Sequence, residues 1–235
     1  SNSVLQPLFF LLIFPALATS DMAGSCGHCQ NDSATYSCVC GAVKYCSSTC
    51  QKADWKLHKP RCPKYKITDI PGKGRGLMAT RRIKVGEVIL EEAPLLCVDG
   101  EEIKRIRQIL ELSQSMSRDE KKKVLALYDP GENSNSKRIK YLQTTGHLKK
   151  DITEEGYKFA RTVMCNHIAV CYEGNKYGVN ASAVYESISR INHSCVPNSF
   201  WHFKKEDVYV KEVRAQKKIE KGMEITSSYI EEEFM

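Results

Sequence analysis

The chain has 235 residues, 42% of them hydrophobic, and a formal net charge of +7. That length admits one or two domains, and the apolar content is enough for a core, which excludes a wholly disordered chain. The modest basic excess suits an acidic partner such as a nucleic acid or a nucleosome without requiring one. A solvated basic surface accounts for it equally well.

Residues 1–21 differ in texture from the rest of the chain. Leu8 to Phe14 is an unbroken apolar run, followed by Pro15 and Ala16-Leu17-Ala18, which resembles a signal-peptide h-region with a small-residue cleavage site. No Lys or Arg occurs before Lys44, so the basic n-region is missing, and the run is too short to span a bilayer. Secretion would also take the downstream cysteine thiols into an oxidising compartment. Met22 is the expected start, and residues 1–21 are expected to be a non-native or signal-like leader outside the fold.

The next stretch carries Cys26, Cys29, Cys38, Cys40, Cys46, Cys50, His58 and Cys62. Seven cysteines and one histidine make eight soft ligands, enough for two tetrahedral zinc sites. So short a segment cannot bury enough apolar surface to fold alone, and a metal is the expected staple. A disulfide framework is the competing reading. The odd cysteine count and the histidine four residues before Cys62 fit it poorly.

Tyr45-Cys46-Ser47-Ser48, Cys50-Gln51, Trp55, His58-Lys59 and Cys62 resemble the MYND zinc finger. The resemblance implies interleaved ligands, with one zinc held by Cys26, Cys29, Cys46 and Cys50. The other would be held by Cys38, Cys40, His58 and Cys62. Val39 alone separates Cys38 from Cys40, where the family usually has two residues, so this second site is expected to lose its metal first. MYND fingers bind short proline-rich peptides. Trp55 or Tyr45 could line that groove, or could form the small core of the finger.

Pro63 ends the finger and a short basic linker comes next. Pro71-Gly72-Lys73-Gly74-Arg75-Gly76-Leu77 holds three glycines in five residues, a pattern for a tight turn or a close backbone approach to a ligand. It matches neither a Walker loop nor a dinucleotide-binding fingerprint. Ile83, Val85, Val88, Ile89 and Leu90 read as short strands around a turn at Gly86. Glu101 to Tyr128 is helical in spacing, with Ile103, Ile106, Ile109, Leu110 and Leu112 on one face and Lys121 to Lys123 on a solvated one. Asp129-Pro130-Gly131 breaks the pattern, and Asn133 to Ser136 reads as loop. A second helix is expected over about 154–170, with Phe159, Val163, Met164 and Ile168 on one side. From Gly178 the texture is strand and turn, including Val208-Tyr209-Val210 and Val213.

Gly74-Arg75-Gly76, then Asn192-His193-Ser194-Cys195-x-Pro197-Asn198, then Gly222-Met223-Glu224-Ile225-x3-Tyr229 are similar to three signature segments of SET-domain lysine methyltransferases, in the family's order. Cys165-Asn166 lies in a stretch that looks like the helical insert of the combined SET and MYND proteins. The resemblance implies that Lys73, Gly74 and Arg75 hold the carboxylate and amine of S-adenosylmethionine. Asn166 and Asn192 would bond its amino-acid part and ribose. The His193 backbone would contact the adenine, and Tyr229 would border the methyl-transfer channel. Each residue also has a plainer reading. Lys73 and Arg75 could be turn charges, Asn166 a helix brace, Asn192 and His193 braces of a backbone knot, and Tyr229 a strand aromatic.

A finger ahead of the first glycine motif resembles the arthropod branch of that family. The family follows the tyrosine with a C-x-C-x2-C cluster that binds a third zinc with the cysteine at the position of Cys195. No such cluster occurs here, so Cys195 is expected to be an unmetallated thiol, and Cys97, Cys165 and Cys171 small core residues. With only Ile230, three glutamates, Phe234 and Met235 after Tyr229, the resemblance implies cofactor binding with methyl transfer near background for residues 22–235.

The expected fold is α+β: a two-zinc MYND finger over 22–64, then a SET-domain β-fold over 65–235 with a helical insertion at 98–178, lacking the cysteine cluster after it. The expected function is S-adenosylmethionine-dependent methylation of a protein lysine, in the nucleus or cytoplasm and away from membranes. The alternative is a zinc-dependent interaction module with a degenerate SET scaffold. Specific DNA binding is the weakest reading, because no helix concentrates the charge.

Overall fold

The computed structural model describes residues 25–59, 61–170, 181–204 and 209–230. The chain divides between Arg61 and Cys62 into two compact units. The readings of residues 1–21, of Cys171 and Val208, and of the glutamates after Ile230 lie outside the described residues.

The first unit is a minimal hairpin and one helix. β1 (Tyr36–Ser37) pairs antiparallel with β2 (Lys44–Tyr45) around a turn in which Gly41 adopts φ 75°. α1 (Ser48–His58) starts where the Ser47 hydroxyl accepts from the Cys50 N–H at 3.2 Å, satisfying one orphan donor of the first turn. Tyr45 is fully buried and its hydroxyl donates to Asp54 Oδ2 at 2.7 Å. Tyr45 therefore belongs to the finger's core and lines no groove, while Trp55 remains 41% exposed.

The second unit builds three small sheets and a helical layer. β3 (Tyr65–Ile70) and β4 (Gly74–Ala79) form a hairpin. β5 (Val88–Glu92) and β6 (Leu96–Asp99) follow. Then come α2 (Glu102–Ser115), α3 (Arg118–Leu125), α4 (Ser134–Thr144) and α5 (Glu154–Asn166). β7 (Ile168–Val170), β8 (Ala181–Val184), a single helical turn (Ile188–Arg190), β9 (Asn192–His193), β10 (Ser199–Phe203), β11 (Lys211–Ala215) and β12 (Glu224–Ser227) complete it. The sheet orders are β10-β11-β5, β3-β4-β12-β9 and β6-β8-β7, and among the described residues only the β12-β9 pair is parallel.

Two apolar cores result. One lies among the sheets and includes Leu77, Ile83, Tyr185, Ile191, Val213 and Ile225. The other joins α2 to α5 with β6 and β8 through Ile106, Ile109, Ile139, Phe159 and Val163.

Several local expectations are corrected. The helical stretch to Tyr128 is two helices, because Ser117 and Glu120 form a reciprocal capping box that restarts the chain as α3. Asn133 to Ser136 is no loop. The Asn133 side chain accepts from the Ser136 N–H at 3.1 Å and caps α4. The second helix stops at Asn166, and Ile168 lies in β7 against the sheet core. Val85 is 65% exposed in the turn, and β11 begins only at Lys211, after Val210.

Candidate functional site

In the first region, the ligand atoms of Cys26, Cys29, Cys46 and Cys50 all lie within 4.8 Å of one another, as do those of Cys38, Cys40, His58 and Cys62. The separations fit a metal tetrahedron. Cys29, Cys46 and Cys50 have Sγ atoms 3.4 to 3.8 Å apart, and four sulfurs at about 2.3 Å from zinc stand roughly 3.8 Å from each other. A disulfide would need about 2.05 Å. His58 Nε2 lies 3.3 Å from Cys38 Sγ and 3.5 Å from Cys40 Sγ.

The electrostatics agree with a cation among these groups. Neighbouring sulfurs, Cys50 first, push the Cys46 thiol up to about 12, a mutual penalty that a divalent ion removes. Against desolvation, backbone N–H groups of Cys29, Cys46 and His28 bring Cys26 down to about 6. Burial holds His58 below its usual range, so its imidazole is neutral and able to ligate at pH 7. The donor set, two thiolate-rich quartets, suits zinc.

The second region lies where β4, β9 and β12 meet. The Lys73 ammonium donates to Glu224 Oε2 at 2.8 Å, and Asn192 Nδ2 donates to Glu224 Oε1 at 2.8 Å. Lys73 and Glu224 are 151 positions apart in the chain. Gly76 leaves the room for this. A Cβ there would lie 2.7 Å from Asn192 Nδ2 and 3.3 Å from Glu224 Oε1. Gly74 adopts φ 73°, a left-handed conformation that glycine reaches without strain.

The pairing of Thr226 with Asn192 and Ser227 with His193 fixes β9 beside β12. Asn198 closes the return by donating to the Glu224 carbonyl at 2.8 Å and accepting from the Thr226 N–H at 2.9 Å. The Glu92 carboxylate accepts from the Ser187 and Ile188 N–H groups at 2.8 to 3.0 Å, anchoring the turn that leads into Asn192. Burial raises its pKa against those donors.

His193 and Tyr229 form a pair. Their rings lie 5.3 Å apart at 49°, and the Tyr229 N–H donates to His193 Nδ1 at 3.0 Å. The Tyr229 hydroxyl donates to the Ile191 carbonyl at 2.7 Å. Desolvation of the hydroxyl, and then the Glu224 charge, raise its pKa, so it stays protonated at neutral pH.

Arg75 and Asn166 turn elsewhere. The Arg75 guanidinium donates to the Ala126 carbonyl at the end of α3, which Arg190 also reaches at 3.2 Å. Asn166 Nδ2 donates to the Tyr128 and Thr162 carbonyls, both at 2.7 Å, so its amide braces the helical layer. Its own carbonyl accepts from Ser189 Oγ at 2.9 Å, three residues before Asn192. Sequence reasoning assigned no role to Glu224, although it lies inside the Gly222-Met223-Glu224-Ile225 segment. A carboxylate with 17% of its side-chain surface exposed needs charged or amide partners, and these come from distant segments.

Residues 74–230 match the family model for the SET domain, and residues 26–62 match that for the MYND finger. This chain belongs to the SET and MYND domain-containing proteins. Its two ligand quartets, one of four cysteines and one of three cysteines and His58, are thus those of a MYND finger that precedes a SET domain of mixed α and β structure.

Among curated relatives, histone-lysine N-methyltransferase ASHR1 of Arabidopsis thaliana is 30% identical over 82% of this chain and 38% of its own length. N-lysine methyltransferase SMYD2-B of Xenopus laevis is 28% identical over 82% of this chain and 41% of its own. The chain therefore spans about two fifths of the length of these relatives. Among solved structures, the SET domain of LSMT bound to lysine and AdoHcy aligns over 77% of this chain and 54% of its own, at 14% identity and a TM-score of 0.46. Among the described residues, no helix is long and apolar enough to cross a membrane.

Proposed function

We propose that this chain forms the cofactor-binding and methyl-transfer site of an S-adenosylmethionine-dependent protein-lysine N-methyltransferase. The observation that carries the reading is the convergence of Lys73, Asn192 and Glu224 beside the His193–Tyr229 pair. Three segments far apart in sequence supply these groups.

The residues present fit the cofactor. Lys73 offers an ammonium for a carboxylate, and Asn192 offers a carboxamide oriented by Glu224. The cofactor, when bound, supplies an electrophilic methyl on a sulfonium. The acceptor must be a neutral amine, although a free lysine has a pKa of about 10.4. An apolar channel disfavours the ammonium and so supplies the neutral form. The Tyr229 hydroxyl donates its hydrogen bond to the Ile191 carbonyl and keeps its oxygen lone pairs available for weak C–H···O contacts. Its role is orientation, and the rate derives from alignment and desolvation. Histone or other protein lysines are the substrate class, in keeping with the relatives' names.

The MYND finger is proposed as a protein-interaction module, with the half-exposed Trp55 as a contact for a proline-rich peptide. Thiolate ligands call for a reducing compartment, the nucleus or cytoplasm.

Calorimetry with S-adenosylhomocysteine tests the reading. Saturable binding at one site, weakened by about 1–3 kcal/mol in Asn192→Ala, supports it. An absence of binding by the folded, zinc-loaded chain contradicts it.

A further inference from the structure

The structure assigns Glu224 as the positioning residue that sets which face of the Asn192 carboxamide meets the cofactor. The inference rests on the methyltransferase reading. One Asn192 Nδ2 hydrogen is committed to Glu224 Oε1 at 2.8 Å. A carboxamide carries its oxygen on the side opposite its nitrogen, so Oδ1 is directed away from Glu224. Asn192 therefore presents an acceptor, and the matching group on a ligand is a donor, an ammonium or a hydroxyl.

Glu224 is itself held on two sides. The Lys73 ammonium takes Oε2 at 2.8 Å, and the Glu224 backbone carbonyl accepts from Asn198 Nδ2 at 2.8 Å. A carboxylate, an acceptor only, can satisfy Lys73 and Asn192 together. A glutamine cannot, because its single oxygen serves one donor while its NH2 faces the other. Gly76 of β4 completes the arrangement, since a Cβ there would lie 2.7 Å from Asn192 Nδ2.

The test measures S-adenosylhomocysteine affinity and the thermal midpoint in the full chain and three variants. Glu224→Gln keeps the shape of the side chain, so a packing role would leave affinity unchanged. The positioning role expects a loss of about five- to tenfold, the scale of one hydrogen bond, with the midpoint unchanged. Asn192→Ala is expected to lose at least as much. In the double variant, Glu224→Gln is expected to cost less than twofold beyond Asn192→Ala, since it acts through that residue.

Gly76→Ala would place a Cβ 2.7 Å from Asn192 Nδ2, with Ile70 Cγ1 equally near, and is expected to weaken binding as well, which keeps the test open if Glu224→Gln fails to fold. Unchanged affinity in a folded Glu224→Gln chain overturns the inference, and if that variant fails to fold, unchanged affinity in Gly76→Ala overturns it. Losses that multiply in the double variant overturn it too, since Glu224 then acts independently of Asn192. If the unmodified chain binds no S-adenosylhomocysteine, the methyltransferase reading falls and takes this inference with it.

Discussion

The Tyr229 hydroxyl donates to the Ile191 carbonyl across 2.7 Å, tying a residue just after β12 to the one before β9. The bond holds the phenol oxygen in one place while its ring rests against His193. Tyr229→Phe removes the bond and keeps the ring. Methyl transfer should then fall at least about tenfold, a barrier change of about 1.4 kcal/mol. Affinity for S-adenosylhomocysteine should stay within about twofold, because the hydroxyl is assigned to orientation. A parallel loss of affinity would move Tyr229 from the transfer step to cofactor binding.

The finger should hold two zinc ions, and elemental analysis below one per chain contradicts that. The order of release separates two physical arguments. The C-x-C spacing at Val39 alone suggests that the Cys38, Cys40, His58 and Cys62 site empties first. Burial argues the reverse, since Cys38, Cys40 and His58 are all less than 9% exposed while Cys29 is exposed. A chelator should therefore reach the Cys26, Cys29, Cys46 and Cys50 site first. Cys29→Ser should abolish the fast phase of zinc release and leave the slow one.

Inside the finger, Tyr45 and Asp54 share a buried hydrogen bond. Burial, then the Asp54 side chain, raise the Tyr45 pKa. Tyr45→Phe leaves the Asp54 carboxylate short of a donor, which should cost about 1–3 kcal/mol. Thermal unfolding followed by release of zinc reads this. A midpoint equal to that of the unmodified chain would show that water replaces the hydroxyl.

Glu87 gives a prediction in pH. Its bond to Arg81, opposed by desolvation and helped by the Lys84 N–H, lowers its pKa to about 2 from an ordinary 4.5. A depressed carboxylate stabilises fully above the unfolded value, and the contribution is lost as pH falls through the folded one. Glu87→Gln should therefore lower the unfolding midpoint of the second unit at pH 6, and the gap should close between about pH 4.5 and 2. A gap independent of pH would remove the ion pair as its cause.

Much of this was legible in the sequence, and the misses divide into local signals and long-range contacts. Ligand spacing marks both quartets, because zinc imposes distances that short loops must satisfy locally. The Ser117-x-x-Glu120 capping box was also a local signal, and reading it would have divided α2 from α3. Asn133 misled because asparagine serves both loops and helix caps; the packing of Ile139 and Leu142 in the helical core decides for the cap. Glu224, by contrast, gains its meaning from Lys73 and Asn192, which only the completed sheet brings to it. No periodicity or spacing records such a contact. The same holds for Arg75, whose partner Ala126 lies in the helical layer, and for Asn166, whose partner Tyr128 is 38 positions away in the chain.

The central claim is methyl transfer to lysine, and single-turnover labelling tests it most directly. Excess full chain is incubated with S-adenosylmethionine carrying a trideuterated methyl group and a mixture of histones, long enough to register a slow step. Tandem mass spectrometry then searches for trideuteromethyl groups on lysine. The expected result is labelled lysine side chains, suppressed by S-adenosylhomocysteine and reduced with Asn192→Ala at sub-saturating cofactor. Unlabelled lysines from a chain that binds S-adenosylhomocysteine would contradict the claim.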